Sequence, residues 1–172
     1  MRSSVVVALA CLAIGSLSTG CTVAEDDPRT LGRFEVRLTQ TESCGEGVII
    51  EGPAEESLFV FLRRPSDDFL LWVERTEVFS LTVRDDGTFA GTDARTSTFG
   101  EAGTCRLLRD DELEAAFDGP LTDTASGFTG TLRNTFSLAE GSDCADMMTA
   151  PVPLAETLPC TLGYDLDAVR MD

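Results

Sequence analysis

Apolar and polar residues alternate along most of this chain with a period of two. Phe34, Val36 and Leu38 fall on one face of a segment whose other face carries Glu35, Arg37 and Thr39, the pattern of a strand with one buried side. Leu58 to Leu62 and Phe69 to Val73 are short continuous apolar runs, and Arg63 to Asp68 between them reads as a turn. Phe79, Leu81 and Val83 then alternate with Ser80, Thr82 and Arg84. Asp85-Asp86-Gly87 predicts a tight hairpin into Thr88 to Thr92, because glycine accepts the positive φ that such turns require.

The second half continues the alternation. Cys105 to Arg109 reads as a strand, Asp110-Asp111 as a turn, and Leu113, Ala115 and Phe117 as the inner face of the next strand, closed by Asp118-Gly119-Pro120. From Gly127 to Leu138, Phe128, Leu132, Phe136 and Leu138 share a face opposite Thr129, Thr131, Arg133, Thr135 and Ser137. Gly130 falls on the apolar face, where a missing side chain admits a bend or a close neighbouring strand. Leu162 to Arg170 is the last strand, and the one segment with helical character, Glu112 to Phe117, is too short to stand alone.

Roughly nine short strands without interleaved helices predict an all-β domain, an antiparallel up-and-down meander. Its edges have to be hidden, which favours closure as a small barrel, with a β-sandwich as the alternative. In architecture alone this resembles the small calycin-like or lipocalin-like β-barrels. That resemblance implies a carrier holding a small apolar ligand inside the barrel.

The first residues differ from the rest. Met1 and Arg2 give a positive start, Val5 to Ile14 an apolar run too short to span a bilayer, and Gly15 to Gly20 a small and polar stretch. This is the layout of a secretory signal over residues 1–20. Leu17-Ser18-Thr19-Gly20-Cys21 resembles the lipobox of bacterial lipoproteins, with Ser18 where that family carries a branched apolar residue and Leu17 one position earlier. The resemblance implies acyl chains on Cys21, a membrane partner reached through them, and a bacterial cell-envelope location. Thr22 is not the acidic residue associated with retention at the inner membrane, so the outer membrane is the expected address. Cleavage after Ala24, giving a secreted or periplasmic protein, is the competing reading. Residues 21–31 read as the lipidated N-terminus and a flexible tether, and 32–172 as the domain.

Beyond Cys11 and Cys21, four cysteines remain: Cys44, Cys105, Cys144 and Cys160. An even number in an exported chain predicts two disulfides. No two of them have the close spacing of a structural zinc site, so no metal is expected from them. Three connectivities exist. Cys144 and Cys160 bound one connection between predicted strands, so the expected pairs are Cys144 with Cys160 and Cys44 with Cys105.

At 172 residues, 42% hydrophobic and 25% charged, the chain is sized and composed for one folded domain. Thirty acidic residues face thirteen basic ones, every one an arginine, for a net charge of -17. That field repels phosphate backbones, so nucleic acid is not an expected partner. Without histidine no Ser-His-Asp or Cys-His arrangement can form, and without lysine neither Schiff-base chemistry nor a phosphate-binding Walker lysine is available.

Carboxylates are the remaining reactive stock. Asp110 with Glu112, or Asp165 with Asp167, would each share a strand face and could serve a carboxylate-dependent carbohydrate-active enzyme. Asp85-Asp86 and Asp110-Asp111-Glu112 could hold calcium, though turn formation is their expected role. Trp72, the sole tryptophan, shares a face with Leu70 and Glu74 and is either core or the wall of a ligand cavity. The expected function is non-catalytic, without cofactor: an envelope lipoprotein with a binding or structural role. The carrier and the enzyme are its rivals. An interior sealed by Phe34, Phe79, Phe128 and Phe136 would end the carrier reading, and an open apolar mouth would favour it.

Overall fold

A computed structural model of the chain describes residues 29–74, 77–99, 104–119 and 125–171. The leader, Cys21 and the tether as far as Pro28 lie outside the described residues. Eight strands follow in order: β1 (Thr30–Glu42), β2 (Glu55–Ser66), β3 (Phe69–Glu74), β4 (Glu77–Val83), β5 (Thr88–Phe99), β6 (Cys105–Phe117), β7 (Gly127–Leu138) and β8 (Cys160–Met171). A single short helix, α1 (Ala145–Met148), interrupts the connection from β7 to β8. Each strand pairs antiparallel with the next, and β8 pairs back onto β1, so the sheet is a closed up-and-down barrel. Closure gives every strand a neighbour on each side, so no whole strand is left as a free edge.

The predicted ninth strand does not exist, because Cys105 to Arg109 and Leu113 to Phe117 are one strand. Inward parity runs unbroken through Leu107, Arg109, Asp111, Leu113 and Ala115, and the ladder to β7 passes through Asp110↔Thr135, Asp111↔Asn134 and Glu112↔Arg133. Asp110-Asp111 is therefore not a turn. Turn chemistry lost here because Asp110 and Glu112 face water while the inward Asp111 finds compensating partners inside. The Arg63 to Asp68 turn is also shorter than expected: β2 continues to Ser66, its register shifting between Arg63 and Ser66 around Pro65, and Asp67-Asp68 alone makes the reversal. Proline lacks the N–H that a regular ladder needs, which suits it to that irregularity.

Asp85-Asp86-Gly87 forms the expected hairpin. Gly87 has φ +84, Arg84 donates its backbone N–H to the Thr88 carbonyl at 2.8 Å, and the Asp86 carboxylate accepts from the Thr88 hydroxyl at 2.6 Å. That hydroxyl, followed by the Thr88 backbone N–H, holds the Asp86 carboxyl below its ordinary pKa. Gly130 has the close approach anticipated for it. It lies opposite Ala115, and a Cβ there would stand 2.2 Å from the Glu114 carbonyl oxygen.

The two ends of the barrel are closed differently. At the turn end, where Asp67-Asp68 and the Arg84–Gly87 hairpin lie, Phe128 is the hub of an aromatic cluster. Its ring centroid is 5.2 Å from Phe34 and 5.5 Å from both Phe89 and Phe117. Phe34, Phe89 and Phe128 are fully buried, each contributing about 1.5–3 kcal/mol of burial.

At the other end the long connections 43–54 and 139–159 fold over part of the opening and bond to one another. Ile49 and Ile50 donate their N–H groups to Pro153 and Leu154, and Glu156 donates to Cys44. Val48, Ile50, Leu154 and Ala155 are buried beneath this cap.

Both disulfides staple the cap, and their pairing corrects the expected one: Cys44 joins Cys160, and Cys105 joins Cys144. All four cysteines do gather at one end of the barrel. Because 139–159 arches over that end, however, Cys144 meets the start of β6, the far neighbour of β7. Cys160, at the start of β8, meets the connection that leaves β1, its other neighbour. With sequence separations of 116 and 39, loop-closure entropy gives stabilisations of about 5 and about 4 kcal/mol. Such bridges persist in an oxidising compartment outside the cytoplasm.

Charged side chains occupy the outer face, among them Glu35, Arg37, Glu112, Glu114, Asp165 and Asp167. A lipid-facing barrel needs an apolar band there, so this outer surface faces water. Among the described residues no helix is long and apolar enough to cross a membrane.

Candidate functional site

Toward the capped end the inward positions change from apolar to charged. β3 and β4 turn Glu74 and Glu77 inward, β5 turns Asp93 and Arg95, β6 turns Arg109 and Asp111, and β7 turns Asn134, all on the same parity as the core residues below them. Beside the cap they leave a half-open cavity of about 90 Å³. Leu38, Leu58, Trp72, Phe79, Leu113 and Leu132 form its apolar wall, and Glu74, Glu77, Arg95, Arg109, Asp111 and Asn134 its polar one. Trp72 thus has both proposed roles at once: its ring packs 6.0 Å from Phe128 in the core and also faces the cavity.

Asp111 organises the polar wall. It is 4% exposed, and its Oδ1 accepts from Arg109 Nε at 2.5 Å and from Asn134 Nδ2 at 2.7 Å, while Arg95 Nε lies 3.7 Å from Oδ2. Burying a carboxylate is costly unless it is paired, and these donors supply the pairing. Arg95 also donates from Nη1 to Glu77 and from Nε to Asp93, both at 2.9 Å. The Glu77 hydrogen bond and then the Asp93 one push Arg95 further above its already high pKa, and Arg95 in turn holds Asp93 below the ordinary carboxylate range. Each guanidinium is thus anchored through its Nε. Arg109 makes no other hydrogen bond to a described residue, and its guanidinium carbon lies 5.9 Å from the centroid of the Phe136 ring.

The barrel wall is thin beside this site. β5 pairs with β6 along its whole length, from Thr88↔Ala116 to Phe99↔Cys105, yet it pairs with β4 only at Thr82↔Ala90 and Val83↔Phe89. Gly91 marks where the strands still touch, since a Cβ there would stand 2.3 Å from the Ser80 carbonyl oxygen. Beyond it a seam without ladder hydrogen bonds runs to the mouth, crossed by the Arg95–Glu77 ion pair.

On the cap side of the mouth, Tyr164 faces inward from β8 at 5% exposure. The backbone of Gly52 closes over its hydroxyl so tightly that a Cβ on Gly52 would fall 1.9 Å away. Burial, and then the charge of Glu56, push the Tyr164 phenol above its ordinary pKa, partly offset by Arg109.

Several sequence expectations resolve differently. Asp110 and Glu112 do share a face, as do Asp165 and Asp167, but in both cases it is the exposed outer face and not a cleft. Asp85 and Asp86 lie at the turn end, and among the described residues no group of three or more potential metal ligands converges. Of the four phenylalanines weighed as interior packing, Phe34 and Phe128 seal the turn end, Phe136 is 8% exposed, and Phe79 lines the cavity. Arg95, Arg109, Glu77 and Asn134 were not singled out by sequence. The signal for them was parity: each continues the inward register of an apolar face, where a charged or amide side chain requires explanation.

No protein-family model matches the chain, and it shows no match to a curated protein or a solved structure.

Proposed function

We propose that this barrel is a non-catalytic binding protein that holds a small molecule in the half-open mouth at its capped end. The observation that carries the reading is the divided interior. A barrel serving only as a rigid structural block gains nothing from two arginines, an inward Asp111 and an aromatic wall arranged around a cavity, whereas binding sites combine an apolar wall with a few oriented polar groups. The cavity of about 90 Å³ is well below the ~300–1,000 Å³ of sites for drug-sized ligands, so the ligand is small or only partly enclosed.

The same proposal places the domain on a membrane surface of the bacterial envelope, held by acyl chains on Cys21 with residues 22–31 as its tether, of which Thr30 and Leu31 already belong to β1. The lipobox-like leader and the oxidised cysteines support that address. Buried acyl chains contribute about 0.8 kcal/mol per methylene, enough for stable anchoring when several are present.

Native mass spectrometry of protein taken from its own membrane tests both parts. The expected result is a mass bearing acyl chains, two disulfides and a ligand released by mild unfolding. A chain beginning at Glu25 without acyl groups overturns the anchor. A Trp72 fluorescence spectrum unchanged by the released small-molecule fraction overturns the binding site.

A further inference from the structure

We propose that the ligand is a small zwitterion with an apolar side chain, an α-amino acid in chemical class; the inference rests on the binding reading above and specifies its ligand. Two like-charge pairs face the same cavity. Glu74 lies directly opposite Glu77 across β3 and β4, and Arg95 lies directly opposite Arg109 across β5 and β6. Like charges in direct cross-strand register are destabilising, and here an acidic pair and a basic pair stand on either side of the β4–β5 seam. The Arg95–Glu77 bond joins them at 2.9 Å.

A ligand carrying an ammonium and a carboxylate on one carbon meets both pairs at once. Its carboxylate takes the donors of Arg109, which is anchored through Nε and therefore presents its Nη groups in a fixed orientation. Its ammonium goes to Glu77, whose side chain is 64% exposed at the rim and which gives one oxygen to Arg95. Its side chain lies against Trp72 and Phe79, which are themselves cross-strand partners.

Charge accounting favours this class over either half of it. The chain as a whole carries a net charge of -17. A simple carboxylate enters against that field, whereas a zwitterion brings no net charge. A simple ammonium leaves the Arg109 donors without an acceptor. The half-open cavity has room for the apolar side chain, and the charged head stays at the rim where Glu77 lies.

Three ligands of one shape separate the possibilities: L-phenylalanine, phenethylamine, which lacks the carboxylate, and 3-phenylpropionate, which lacks the ammonium. Benzyl alcohol serves as the neutral probe. Binding to the disulfide-intact protein is read by calorimetry and by the fluorescence of Trp72, the only tryptophan. L-phenylalanine is expected to bind at least about tenfold more tightly than either analogue, the worth of one charge-assisted hydrogen bond. Glu77→Gln should erase its advantage over 3-phenylpropionate alone, and Arg109→Gln its advantage over phenethylamine alone. Because Glu77 is at the rim, the first variant keeps the test valid if Arg109→Gln misfolds, which circular dichroism would reveal. An analogue binding as tightly as L-phenylalanine overturns the zwitterion, as does binding of benzyl alcohol alone, and either result leaves the binding site standing. Silence from all four probes overturns the zwitterion, while the search for a ligand retained from the native membrane decides the binding reading separately.

Discussion

At the turn end of this barrel, β1, β5, β6 and β7 bring Phe34, Phe89, Phe117 and Phe128 together and exclude water. At the capped end β5, β6 and β7 turn Arg95, Arg109, Asp111 and Asn134 inward around a cavity. Alternation is the same in both regions; the chemistry of the inward positions differs, and the ladder between β4 and β5 is present at the turn end and missing at the capped end. Apolar burial holds the first region together, and covalent bridges with a cap of loops hold the second. A small domain can thus devote part of its interior to polar groups, which cost stability, when two disulfides restrict the unfolded chain in compensation. The comparison predicts that mutations at the turn end change stability and spare the mouth, and that mutations at the rim do the reverse.

Phe128→Ala is the largest expected effect. The residue is fully buried and touches four aromatic rings, so truncation should cost about 3–5 kcal/mol of unfolding free energy, measured by denaturant titration. The Trp72 environment would change through lost packing, yet the Arg95–Glu77 bond should survive. If Phe128→Ala instead cost less than about 1 kcal/mol, the turn end would not be the region that carries stability.

Asp111→Ala comes next. It leaves the buried Asn134 amide without its acceptor and two guanidinium groups without their shared anchor. Because both arginines are about one-third exposed and can recover water, the loss should stay near 1–3 kcal/mol. Ligand affinity should fall as well, since Arg109 loses its fixed orientation. At this position, as at Trp72, stability and binding overlap.

Asp111 also shows how much was legible in the sequence. Period-two alternation identified the inward faces of β1, β4 and β7 correctly, including Phe34, Leu81 and Phe128, because an apolar residue at an inward position needs no partner to explain it. The same rule read Asp110-Asp111 as a turn, because two adjacent acids are commoner in turns than in a barrel wall. What rescues Asp111 is a set of donors from β5, β6 and β7, namely Arg95, Arg109 and Asn134. Two of these strands are remote in sequence, and their meeting depends on barrel register. Disulfide pairing failed for a related reason. The cysteines' common end followed from strand direction, but which partners meet depends on the path of 139–159 over the mouth, and no local pattern encodes that path.

Alkaline pH separates the cap from the barrel beneath it. Tyr164 is the only tyrosine, and burial under the cap raises its folded pKa above the unfolded value, which is about 10. A raised folded pKa means that the fold prefers the protonated phenol. The corresponding stability is complete below the unfolded pKa and is lost as pH rises through the folded one. Thermal melting should therefore decline above about pH 10 in the parent protein more steeply than in Tyr164→Phe. Equal slopes would show that the cap does not exclude water from the hydroxyl.

Glu77→Gln should have the smallest effect on stability and gives the most direct view of the mouth. Its partner Arg95 keeps Asp93 at 2.9 Å and stays near Asp111, and the Glu77 side chain is mostly in water, so unfolding free energy should change by less than about 1 kcal/mol. The seam between β4 and β5 has no ladder hydrogen bonds at this level, however, and the ion pair is the polar contact that spans it. Amide exchange should therefore quicken along Glu77 to Leu81 and along Gly91 to Arg95, while the strands around Phe128 keep their protection. A variant with unchanged exchange in those segments would show that packing of Phe79 and Trp72, not the ion pair, keeps the seam closed. The arginine would then be held in place for the ligand alone.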